Sequence, residues 1–62
     1  MENYYAAKRL ALILAVQAEI EGMKAENMQR QILGHSMSYS DGDFSDKAME
    51  LRSLAYAPNE QL

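Results

Sequence analysis

From Tyr4 to Leu33 the sequence contains no proline and a single glycine, Gly22, amid Ala, Leu, Met, Glu, Gln, Lys and Arg. These residue types lose little freedom in a helix, so the stretch predicts one rod of about 45 Å. Asn3 is the expected N-cap, its side-chain oxygen accepting from a first-turn N–H. Gly34 is the expected C′ residue, where a left-handed conformation closes a helix at little cost. Inside this rod lies the run Leu10 to Val16, LALILAV. Seven consecutive apolar residues wrap a full circumference, and they cannot all face water without a large exposed patch.

The remainder is loop, a second helix and a tail. Gly34 to Tyr39 carries the glycine and small polar residues of a loop. Ser40 followed by Asp43 resembles a capping box, and Asp41, Asp43 and Asp46 favour the positive end of a helix dipole. Pro58 disfavours helical geometry at Ala57. The expected organisation is one all-α domain over residues 1–62, with a helix about 4–33, a loop 34–40, a helix about 41–56 and a frayed tail 57–62. This is a helical hairpin of one long and one short helix.

The first helix carries two apolar stripes. Ile13, Val16, Ile20 and Met23 follow spacings of 3, 4 and 3, the seam of a left-handed helix pair, and Asn27 continues it as a lone polar position fit to set register or to serve near the loop. Ala7, Leu10, Leu14, Ala18, Ala25, Met28 and Ile32 lie roughly opposite. A second helix of about 22 Å folding back from the loop is expected to reach only Gly22 or Ala18. It would pack through Phe44, Ala48, Leu51, Leu54 and Ala55 against Met23, Met28 and Ile32. Leu10, Leu12, Ile13, Leu14, Val16 and Ile20 are then the expected oligomer interface. Each large side chain buried there contributes about 1.5–3 kcal/mol, so an antiparallel or parallel dimer closing as a four-helix bundle is the natural solution.

Other features narrow the function. A chain of 62 residues has a marginal core, and with no cysteine it has neither disulfides nor thiolate metal sites to support one. His35 stands without metal-ligand spacing around it, and no cofactor motif is present. Six Lys and Arg against nine Asp and Glu, a net charge of −3, argue against direct nucleic-acid binding. The LALILAV run is far short of the roughly 20 residues of a membrane span, and Gln17, Glu19 and Glu21 follow it where a signal peptide needs small residues. A soluble, cytoplasmic chain is expected.

His35, Ser36 and Asp41 are the parts of a nucleophilic site, but a polar loop gives them no rigid support. With no pocket of several hundred Å³ expected beside them, the chain reads as a non-enzyme. Met1, Met23, Met28, Met37 and Met49 read as core filling ahead of an adaptable partner groove, and Tyr4, Tyr5, Tyr39 and Tyr56 as packing at helix ends ahead of an aromatic recognition surface.

Three phrases, Ala18 to Asn27 (AEIEGMKAEN), Tyr39 to Phe44 (YSDGDF) and Glu50 to Tyr56 (ELRSLAY), resemble small accessory proteins from the early regions of lambda-like tailed bacteriophages. The resemblance implies a host-cell cytoplasmic setting and an action by binding, inhibiting or redirecting a host protein such as a nuclease, defence factor or regulator. It assigns no role to any residue. The competing expectations are a nucleic-acid-linked regulator, acting through a DNA-like acidic surface or a basic patch made by Lys8, Arg9, Lys24 and Arg30 across a dimer, and a structural component of a larger assembly.

Overall fold

The computed structural model describes residues 2–62, so Met1 lies outside the described residues. It contains α1 (Glu2–Ile32), α2 (Asp41–Tyr56) and a 3-10 turn at Asn59–Gln61, with no strand among the described residues. α1 begins one residue before Asn3. That side chain therefore lies in the first turn and is not the cap expected from sequence.

At its other end α1 closes as a Schellman motif: the Gly34 N–H donates to the Gln31 carbonyl at 3.1 Å and the His35 N–H to the Arg30 carbonyl at 2.8 Å. Gly34 takes the left-handed conformation this requires, at φ +75°. α2 opens with a complete capping box. The Asp43 N–H donates to Ser40 Oγ at 3.3 Å, and the Ser40 N–H donates to Asp43 Oδ2 at 2.9 Å.

α1 and α2 pack as an antiparallel hairpin. Asn27 lies beside Tyr39, Glu19 beside Lys47 and Arg9 beside Leu54 and Asn59. The second helix thus extends back to Arg9, well past the Ala18 limit expected from its length. The loop explains the difference: it runs back along α1, so that Tyr39 already stands level with Asn27 before α2 begins. Chain in extended form covers about 3.3 Å per residue, more than twice the helical rise.

The packed seam is a continuous alternation of fours and threes: Arg9, Ile13, Val16, Ile20, Met23, Asn27 and Arg30. Val16 and Met23 are its buried centre, at 5% and 8% exposure. Leu12, Ile13 and Ile20 on α1 and Phe44, Ala48, Leu51 and Leu54 on α2 are half-buried around them.

Polar groups fix both ends of the seam. Asn27 makes two bonds to one residue, its Nδ2 donating to the Tyr39 carbonyl at 2.9 Å and its Oδ1 accepting from the Tyr39 N–H at 3.0 Å. The Arg9 guanidinium donates to the Leu54 carbonyl and, at 3.0 Å, to Asn59 Oδ1. It supplies from another helix the cation that the last turn of α2 lacks. The tail expected to fray is consequently a bonded 3-10 turn, with Leu62 half-buried.

The hairpin is one helix thick, with extents of 51 × 17 × 10 Å and a radius of gyration of 14.8 Å. A compact chain of this length has a radius of about 10.6 Å. Two outcomes follow in chemical denaturation. Met23→Ala should destabilise the chain by about 2 kcal/mol, whereas Met49→Ala, at an exposed position, should stay within about 0.5 kcal/mol. Asn27→Ala should lose about 1 kcal/mol and raise amide exchange at Tyr39, while Asn27→Asp, which keeps the acceptor, should protect that amide.

Candidate interaction surface

Among the six residues expected at an oligomer interface, the fold uses four itself. Val16 is buried in the hairpin, and Leu12, Ile13 and Ile20 are half-buried, because α2 reaches further along α1 than the sequence implied. Leu10 and Leu14 remain exposed, each at 57%. The expected intrachain set divides as well. Met23, Phe44, Ala48, Leu51 and Leu54 pack within the hairpin, but Met28 and Ile32 do not: Ile32 is 78% exposed. Both lie on the helix face turned away from α2. Ala55 is also exposed.

These exposed residues form one surface. Ala7, Ala11, Leu14, Ala18, Glu21, Ala25, Met28 and Ile32 follow alternating spacings of four and three, and every one of them is exposed. At about 100° per residue the row sits nearly opposite the packed seam. α1 is therefore apolar on two opposing faces. The outer row has one charged member, Glu21, whose Oε1 accepts from Gln17 Nε2 at 3.2 Å and Lys24 Nζ at 3.3 Å. Both partners lie on one flank, which draws the carboxylate off the centre of the row.

A second feature lies in the angle between the helices. A groove of about 630 Å³ is lined by Glu19, Asp43, Asp46 and Glu50 around Lys47, with Met23 and Tyr39 also contributing. So large a space corrects the expectation that the chain has no room for a pocket of several hundred Å³; it arises from residues on two elements brought together. Lys47 Nζ bonds Glu19 Oε2 at 2.9 Å and Glu50 Oε2 at 3.2 Å, and its side chain is 23% exposed. The hydrogen bond to Glu19, then that to Glu50, raises the Lys47 pKa above its ordinary 10.5. No group of three His, Asp or Glu among the described residues is placed to hold a metal ion.

The catalytic parts seen in sequence are not assembled. His35, Ser36 and Asp41 are all exposed on or beside the loop, and no hydrogen bond joins them among the described residues. Within one hairpin three of the basic residues are engaged separately: Arg9 is bound to α2 and the turn beyond it, Lys24 to Glu21 at 3.3 Å, and Arg30 to Glu26 at 2.9 Å. Tyr4 and Tyr5 meet edge to face with ring centroids 5.1 Å apart, both exposed at the start of α1. No described helix is long and apolar enough to cross a membrane.

The chain matches no protein-family model, and no curated protein and no solved structure is significantly similar to it.

The Lys47 ion pairs set a pH dependence. Because the folded pKa lies above the unfolded one, their contribution is complete below 10.5 and is lost as pH rises through the raised folded value. Thermal melts of the parent chain and Lys47→Met should therefore differ at neutral pH and converge in strongly alkaline solution.

Proposed function

We propose that this chain is a non-enzymatic interaction protein that self-associates through the outer face of α1 and acts by binding another protein of the host cell. The observation that carries the reading is the exposed apolar row from Ala7 to Ile32, which runs almost the length of α1 opposite α2. An unpartnered apolar surface of that extent marks an assembly site. The resemblance to early accessory proteins of lambda-like phages supports a host cytoplasmic setting and a target such as a nuclease, defence factor or regulator. With the outer face taken up by self-association, the acidic groove and the tyrosines at the end of α1 are the surfaces left for that target.

Two hairpins joined in this way make a four-helix assembly. Since the two seams of α1 face nearly opposite directions, the geometry favours four helices side by side over a bundle closed around a shared core. A second reading, imitation of the phosphate array of DNA, is favoured by Asp43, Asp46 and Glu50, which lie at spacings of three and four along one face of α2. Competition with DNA for a DNA-binding target would distinguish it.

Light scattering combined with circular dichroism tests the leading reading. The parent chain should have a mass above 7.0 kDa at micromolar concentration. Leu14→Asp should return it to the monomer with helix content preserved, because an unpaired charge on the outer row opposes burial, and Glu60→Ala should leave the mass unchanged. A parent chain of monomer mass would refute self-association.

A further inference from the structure

We infer that the occupant of the outer face is a second copy of this chain, lying antiparallel, with the two-fold axis passing between Ala18 and Glu21. This rests on the reading of the outer face as a self-association surface and adds its direction and register.

Side-chain volume selects the direction. Reversing the outer row about its midpoint opposes Ala7 to Ile32, Ala11 to Met28, Leu14 to Ala25 and Ala18 to Glu21 of the second copy. Every layer then pairs an alanine with a larger residue, so the helices approach closely at even separation along the whole row. Parallel pairing in register would instead set alanine against alanine in four layers and Leu14, Met28 and Ile32 each against itself. The helices could not then be close at the first without clashing at the second.

The antiparallel two-fold places the Gln17 and Lys24 flank of one copy beside the same flank of the other. The two Glu21 carboxylates then share one wet rim, about 4.5 Å apart along the axis, with Gln17 and Lys24 of both copies beside them.

The surface area fits one such contact. The chain exposes 4888 Å², against about 4,040 Å² for a compact monomer of its mass. The excess of about 850 Å² matches the roughly 800 Å² that each partner contributes to a stable interface.

The sequence has no cysteine, so a spin label on Gln31→Cys reports one distance between copies. In the antiparallel register the two labelled positions are separated by about 23 residues of helical rise, some 35 Å. The expected result is twice the 7.0 kDa chain mass together with a distance near that value. Twice the mass with a distance under about 20 Å would establish parallel pairing and overturn the register while leaving the assembly surface intact. A slip of one heptad would move the distance by about 10 Å and would also overturn it. Monomer mass would overturn both readings. As an independent check, Leu14→Ala and Ala25→Leu should each weaken the dimer at least tenfold, and the double substitution should restore it, since it exchanges large and small within one layer. Failure of the double variant to recover would count against the pairing even if both single variants stay folded.

Discussion

The bidentate pairing of Asn27 with the backbone of Tyr39 determines where α2 lies. A single amide side chain satisfies both the N–H and the carbonyl of one loop residue, so the loop is held at one height on α1, and α2 descends from there. With that height set, Phe44, Ala48, Leu51 and Leu54 fall opposite the seam, Lys47 meets Glu19, and the end of α2 arrives at Arg9. Were the pairing one turn displaced, each of these contacts would miss its partner by about 5.4 Å. The interaction is modest in energy and large in consequence, as is usual for a polar group set into an apolar helix seam.

Much of the local structure was legible from residues next to one another in sequence. The Schellman closure at Gly34 and the Ser40 and Asp43 capping box depend on backbone geometry within a few residues, which is the range over which side-chain type constrains conformation. The hairpin itself followed from two helical stretches and a short polar loop. The extent of the hairpin did not follow, because an estimate from helix length alone ignores the ground an extended loop covers beside its own helix. The signal was nevertheless present: Arg9, Ile13, Val16, Ile20, Met23, Asn27 and Arg30 form one unbroken seam, and a continuous seam implies a partner along all of it.

The candidate surface was legible as a stripe and wrongly divided as a site. Sequence periodicity shows that α1 has two apolar faces, but it is silent on which face an adjoining element takes. That choice fell to Asn27 and Arg9, the two polar residues able to bond the loop and the end of α2, and both sit on the Val16 side. Met28 and Ile32 were thereby left on the outer face and Val16 was enclosed. The acidic groove was invisible for a different reason. Glu19 and the trio Asp43, Asp46 and Glu50 come from separate helices, and their meeting depends on the tertiary register.

A core in which, among the described residues, Val16 and Met23 alone are buried leaves little stability to an isolated hairpin. For a chain that pairs through its outer face as proposed, folding and association draw on the same free energy, and the melting temperature becomes a function of concentration. Abundance in the cell would then regulate lifetime directly: at high expression the helices shield one another, and upon dilution the opened chain is exposed to proteolysis, with no dedicated degradation signal required.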